Sequence, residues 1–262
     1  MKTAAFIGTG NMGSALARAA AKSGQPLRLL LANRTLEKAE ALAKELGGQT
    51  VDNKTAAAEA DILFLGVKPH LLEGMLNGIR ETLRGRKDRY MVVSMIAGKD
   101  LHTLSRLLGE VPVIRVMPNI PVAIGSGISL YAASKEVTQE EKALFCDLMA
   151  ASGLVVEIDE NLMDAATGIT GCGPAFAAMF TEALADGAVA CGLPRAQAYR
   201  CAAQMLKGTA ELLLETGEHP ASLKDRVCSP AGSTIQGVRE LERSAFRAAV
   251  MNAVIASYEK EF

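Results

Sequence analysis

The sequence predicts an α/β architecture in two parts: a doubly wound, mostly parallel sheet over residues 1–158, then an all-helical region over residues 159–262. Three observations predict it. Near-continuous apolar runs recur at residues 4–7, 27–32, 61–67, 91–95 and 111–116, the pattern of strands covered on both faces rather than of strands with one wet face. Helical periodicity fills the gaps, at 13–22, 36–46 and 70–83, so strand and helix alternate as in successive βαβ units. Beyond Asp159 the strand-like runs stop and only helical stretches follow.

Taken in order, the first strand runs into Gly8-Thr9-Gly10-Asn11-Met12-Gly13 and then a helix. In that context Gly8 permits the tight turn, Gly10 lets the backbone approach a pyrophosphate, and Gly13 lets helix and strand pack closely. The helix start adds free N–H groups and partial positive charge. This makes the sheet Rossmann-type and the ligand a dinucleotide. The second strand ends in Asn33-Arg34-Thr35, where an NAD site usually places Asp or Glu. With no carboxylate to repel a 2′-phosphate and Arg34 able to pair with one, NADP(H) is expected, with NAD(H) less favoured. The other reading of Arg34 is a solvated first-turn cation, which helix polarity disfavours. Val67-Lys68-Pro69 and Ile96-Ala97-Gly98 follow the next two strands, at the sheet edge where open α/β sheets bind ligands. Residues 127–132 and 154–158 extend the sheet.

In the second part, helices are expected at 161–167, 174–191, 195–215 and 234–260, with Gly192-Leu193-Pro194 ending one and starting the next. They are rich in Ala and Gly, so an apolar surface this broad suits a homodimer interface, the alternative being a bundle closed within one chain. Ser229-Pro230-Ala231-Gly232-Ser233-Thr234 leads into the last helix. Its small residues make either a second anion nest, with the Ser233 and Thr234 hydroxyls facing the bound acid, or an ordinary helix cap. Gly171-Cys172-Gly173-Pro174-Ala175 is a similar helix start, either a wall of the same cleft or a packing turn.

Bulk properties exclude other classes. The chain has 262 residues, 49% of them apolar and 22% charged, with a formal net charge of −1. Nucleic acid and acidic membranes need clustered Lys and Arg, which are absent. The most apolar helical run, 174–191, is interrupted by Glu182 and Asp186, so no membrane span is expected. No leader pattern precedes the first strand, and the five cysteines are scattered without a C-x-x-C pair, so a reduced, cytoplasmic protein without a metal site is expected.

Together these segments resemble the pyrroline-5-carboxylate reductase family. The resemblance runs in order through residues 6–13, Val67-Lys68-Pro69, Arg115-Val116-Met117-Pro118-Asn119, residues 171–175, Leu223-Lys224-Asp225 and residues 229–234. It implies reduction of the C=N bond of L-1-pyrroline-5-carboxylate by NADPH to give L-proline, the last step of proline biosynthesis. It also implies a helical dimerisation domain, with dimers often assembled into larger rings. Carried over by position, Thr234 donates to the ring nitrogen and N–H groups near Gly232 and Ser233 hold the carboxylate. Arg34 and Asn53 take the adenosine end of the cofactor, Val67, Lys68, Pro69 and Ala97 its nicotinamide end, and Glu160 lies close to the substrate. Ala231 and Ser233 stand where relatives often carry Gly and Thr or Ala. A β-hydroxyacid dehydrogenase would want a catalytic Lys where Ala177 stands. A non-catalytic NADPH-binding regulator would need no second anion nest. None of the three histidines is placed in the chemistry.

Overall fold

Apolar runs too continuous to leave a face in water must be covered on both sides, and the computed structural model, which describes residues 1–259, covers them so. The strands are β1 (Lys2–Ile7), β2 (Leu27–Ala32), β3 (Gln49–Thr50), β4 (Ile62–Leu65), β5 (Met91–Ser94), β6 (Val113–Pro118), β7 (Gly127–Ala133) and β8 (Gly153–Glu157). They form one sheet in the order β3-β2-β1-β4-β5-β6-β7-β8. Every pairing is parallel except β6 with β7. Strand order reverses beside β1, where β2 lies on one side and β4 on the other, and this leaves a crevice at the strands' C-terminal ends. The doubly wound sheet read from the sequence is the sheet observed.

The helices of this unit are α1 (Asn11–Lys22), α2 (Leu36–Leu46), α3 (Asn53–Glu59), α4 (Leu72–Gly85), α5 (Leu101–Leu108), α6 (Gln139–Met149) and α7 (Met163–Thr170). Two apolar cores line the two sheet faces. One includes Phe6, Leu16, Phe64, Val116 and Phe145, the other Ile7, Leu30, Leu65, Leu76 and Ile79. Phe6 and Phe64 stack across neighbouring strands with centroids 4.2 Å apart, which fixes β1 against β4.

Short α3 is held at both ends. Asp52 accepts from the Thr55 N–H at 2.7 Å at its start. At its end Arg86, with a side chain only 6% exposed, donates to the Ala57 and Ala60 carbonyls at 2.9 and 2.6 Å. The Arg86 guanidinium also lies over the Tyr90 ring, 4.3 Å from its centroid.

The first compact unit runs Met1–Gly171, so α7 belongs to it: Met163 packs with Leu130 and Ala132 of β7. The second begins at Cys172 and holds α8 (Gly173–Ala190), α9 (Arg195–Thr216), α10 (Pro220–Val227), α11 (Ser233–Arg243) and α12 (Phe246–Glu259). The helix expected over 234–260 is two helices, and its last residue, Lys260, lies outside the described residues. The break falls at Ser244-Ala245, where Ala245 takes a left-handed φ of 53°. Just past the turn Phe246 meets Phe180 of α8 with centroids 5.6 Å apart. Among the described residues no helix is long and apolar enough to cross a membrane.

Candidate functional site

The glycine loop is shaped by contacts that only hydrogen side chains allow. Gly8 has φ +98°, and a Cβ on it would lie 2.6 Å from the Gly66 carbonyl oxygen at the end of β4. A Cβ on Gly13 would lie 2.0 Å from the Gly8 carbonyl oxygen, so α1 can sit this close to the β1–α1 turn only with glycine there. Gly10 differs: a Cβ on it would meet nothing within 4 Å among the described residues. Gly10 is the N-cap of α1 and offers no capping side chain, so no side chain satisfies the first-turn N–H groups of Asn11 and its neighbours. A pyrophosphate fits such a cradle, bringing acceptors to unpaired donors at the positive end of a twelve-residue helix.

A cavity of about 580 Å³ opens from this loop. It is lined by Gly8, Gly10, Asn33, Arg34, Asn53, Val67 and Lys68 of the expected cofactor residues. Asn33 is tied in place: its Oδ1 accepts from the Thr9 N–H at 3.1 Å and its Nδ2 donates to the Thr35 carbonyl at 2.9 Å. The Thr9 side chain is buried and its hydroxyl has no partner among the described residues. Met12 packs against the core instead of facing the cavity, and Pro69 opens a 3-10 turn, Pro69–Leu71, just past Lys68. Ala97 lies in the loop after β5 and is not part of this cavity's lining. Sequence reasoning missed Thr35, Lys38, His70 and Met75, which line it too. Lys38 was findable, since it sits one helical turn past Arg34 at the start of α2.

Glu160 has a defined job within the first unit. Its Oε1 accepts from Arg115 Nη1 at 2.8 Å and from the Leu101 N–H at 3.0 Å. Arg115, 3% exposed on β6, also reaches Asp164 Oδ1 at 3.0 Å. Asn119, at the end of the same strand motif, accepts from the Ile128 N–H and donates to the Thr170 carbonyl at 3.1 Å. The stretch 115–119 therefore clamps α7 to β6 and the loop that follows it, and Glu160 joins that clamp to the start of α5, just past Ala97-Gly98. Glu160 Oε2 and Arg115 Nε are buried without partners among the described residues.

The loop at residues 229–234 lies in the second unit. Gly232 is the N-cap of α11 and its N–H donates to the Ser229 carbonyl at 3.0 Å. A Cβ on Gly232 would lie 2.3 Å from Ser229 Oγ, so a side chain there would have to turn the Ser229 hydroxyl aside. Ala231 holds a left-handed φ of 57°. No side chain caps α11, which leaves first-turn N–H groups free beside the Ser233 and Thr234 hydroxyls, both exposed. Among the described residues no group of three or more His, Cys, Asp or Glu is placed to hold a metal ion.

Comparison with known proteins decides the family. The chain is 41% identical over 263 residues to the pyrroline-5-carboxylate reductase of Escherichia coli strain K12, covering 99% of this chain and 97% of that protein. The chain belongs to the pyrroline-5-carboxylate reductase family. The reductase of Synechocystis is 46% identical over 80% of this chain and 77% of its own length. Residues 160–261 match the family model for pyrroline-5-carboxylate reductase dimerisation, and residues 3–98 that for NADP oxidoreductase, coenzyme F420-dependent. Among solved structures, the Plasmodium falciparum pyrroline carboxylate reductase with NADP bound superposes with a TM-score of 0.85 at 32% identity, covering 99% of this chain and 97% of that one. The Coxiella burnetii pyrroline-5-carboxylate reductase superposes with a TM-score of 0.92 at 29% identity, covering 99% of this chain and 97% of that one.

Proposed function

We propose that this chain reduces L-1-pyrroline-5-carboxylate to L-proline with NADPH. The observation that carries the reading, beside family membership, is the uncapped, hydroxyl-bearing start of α11 in a chain whose other unit holds a dinucleotide cradle. Bound NADPH supplies a hydride. The protein's own work is to bind, orient and stabilise. The turn from Gly8 through Thr9, Gly10, Asn11 and Met12 to Gly13 receives the pyrophosphate. Asn33, Arg34 and Asn53 take the adenosine end, and Val67, Lys68, Pro69 and Ala97 border the nicotinamide end. NAD(H) serves less well, because Arg34 then meets no 2′-phosphate.

Gly232 and Ser233 N–H groups hold the substrate carboxylate at the positive end of α11, and the Thr234 hydroxyl donates to the ring nitrogen. Glu160 borders the substrate through the loop it fastens. A cyclic imine takes its proton readily and the cation is the better electrophile, so the site needs a positioned donor rather than a strong acid. That suits a loop whose polar groups are hydroxyls and backbone N–H groups.

The same reading assigns residues 1–158 to cofactor binding and 159–262 to dimerisation and substrate binding, as the dimerisation match from residue 160 supports. Homodimers form through the helices and can assemble into rings. A cytoplasmic site of action, without nucleic-acid partners, is consistent with five free cysteines and a net charge near zero. The test is NADPH oxidation with L-1-pyrroline-5-carboxylate by wild type and Thr234→Ala. Losing one hydrogen bond made in the transition state lowers turnover by roughly 10- to 100-fold. An inactive wild type sinks the assignment, and a fully active variant removes Thr234 from the chemistry.

A further inference from the structure

The helix α3 runs Asn-Lys-Thr-Ala-Ala-Ala-Glu, seven residues without one large apolar side chain. Its buried residues are Ala56 and Ala57. Two methyl groups bury too little surface to pin a helix this short, which is marginal on its own. Its first residue, Asn53, nevertheless lines the cavity at the glycine loop. A slip of one residue, about 1.5 Å along the axis, would carry Asn53 out of register with that cavity.

Arg86 supplies the missing anchor. It ends α4, which is itself held by four buried side chains, Leu72, Leu76, Ile79 and Leu83. From that fixed point its guanidinium donates to the Ala57 and Ala60 carbonyls, which the end of α3 leaves without helical partners. Tyr90 lies under the guanidinium and Asp88 accepts along its other edge. Asp88 is 63% exposed, so that ion pair adds little and the two carbonyls are the contacts that matter. Both helices meet the cavity at their opposite ends: α3 brings Asn53, and α4 brings Gly74 and Met75. Arg86 is not part of the cavity's lining, since α4, with fourteen residues, spans about 20 Å. The pair is a bracket that holds the cavity wall at one end and is closed by a single side chain at the other.

We infer that Arg86 is a positioning residue for the adenosine end of the cofactor: by tying the last turn of α3 to the end of α4 it sets where Asn53 stands. The inference rests on the NADPH reading above, in which Asn53 takes that end.

The test compares wild type with Arg86→Met, Arg86→Lys, Asp88→Asn, Asn53→Ala and the double variant Arg86→Met/Asn53→Ala, each below its own melting midpoint. KM and kcat are measured with NADPH and with NADH, and calorimetry follows binding of 5′-AMP. In Arg86→Met both cofactors' KM values and the 5′-AMP dissociation constant rise about fivefold, the worth of one misplaced hydrogen bond. The NADPH/NADH ratio and kcat stay within about twofold, because the adenosine is common to both cofactors and lies away from the hydride. Arg86→Lys, which keeps a donor for the carbonyls, and Asp88→Asn, which leaves them capped, stay within about twofold of wild type. Asn53→Ala matches Arg86→Met, and the double variant is no worse than either alone, since the two changes remove the same contact. Unchanged affinity in Arg86→Met, or effects that add in the double variant, overturn the inference. Should Arg86→Met not fold, Arg86→Gln, whose shorter amide cannot reach both carbonyls, is held to the same outcomes. If Asn53→Ala weakens binding while Arg86→Met does not, the cofactor reading stands and Arg86 falls alone. A wild type that turns over neither cofactor removes the reading and the inference together.

Discussion

Ala231 carries backbone strain that a glycine would not. Its φ of 57° places a Cβ against the following carbonyl, in the loop that leads into the uncapped start of α11. Ala231→Gly removes that clash but returns some entropy to the unfolded chain, so the net gain is about 0.5–1 kcal/mol, or about 2 °C in Tm. A scanning-calorimetry midpoint that fell would show that the alanine methyl makes a packing contact worth more than the strain. Residues differ in how much of this was legible. Gly8 and Gly13 were, because the need for a missing Cβ is set by the strand–turn–helix they sit in and local sequence reveals it. The bond from Glu160 to Arg115 was not, because it joins residues 45 apart that only the sheet brings together. Lys38 lies between these cases: its spacing from Arg34 was visible, but its place on the cavity wall is a fact of the folded surface.

Helix ends show the same division among the elements, and they titrate. Asp52 starts α3, whose first residue Asn53 lines the cavity at the glycine loop, and Asp100 starts α5, next to the Ala97 loop. Hydrogen bonds from Thr55 hold the Asp52 carboxyl below its ordinary range, and those from Thr103 do the same for Asp100. A depressed folded value means that the stabilisation is fully present above about pH 4 and is lost as pH falls through the folded value. Asn keeps a capping oxygen without a charge. The double variant Asp52→Asn/Asp100→Asn is therefore less stable than wild type at pH 7, and the gap closes as pH falls below about 4. Denaturant midpoints across that range check it, and a gap constant with pH would show that the caps act without their charge. The strands were legible as elements because burial on both faces writes a continuous apolar run. The break between α11 and α12 was not, because neither Gly nor Pro marks it and the residue in the left-handed position is Ala245. The Phe180–Phe246 contact lies just past the turn, and that contact is tertiary.

For the molecule as a whole, the helical unit is the part that cannot account for itself. The first unit buries two extensive cores, whereas the fully or nearly buried apolar side chains of the second are Ala185, Ala198, Ala202 and Leu223. Its large apolar residues face outward in the single chain: Met179 is 68% exposed, Leu214 77% and Met251 63%. Surface of this kind on helices is characteristic of an interface between subunits, and residues 160–261 match a dimerisation model. In a two-fold dimer each substitution enters the interface twice, and an unpaired carboxylate buried there costs several kcal/mol. Leu214→Glu and Met251→Glu should accordingly weaken dimerisation by at least about 100-fold, shifting the species seen in sedimentation at micromolar concentration from dimer to monomer. On the proposed reading, in which the helices that pair also carry the substrate loop with Thr234, turnover falls with the dimer while adenosine 2′,5′-bisphosphate binding to the first unit persists. A monomeric wild type would remove the dimer reading, and dimers that survived both substitutions would move the interface away from these two side chains. Loss of bisphosphate binding together with the dimer would mean that the cofactor cradle itself depends on the partner subunit.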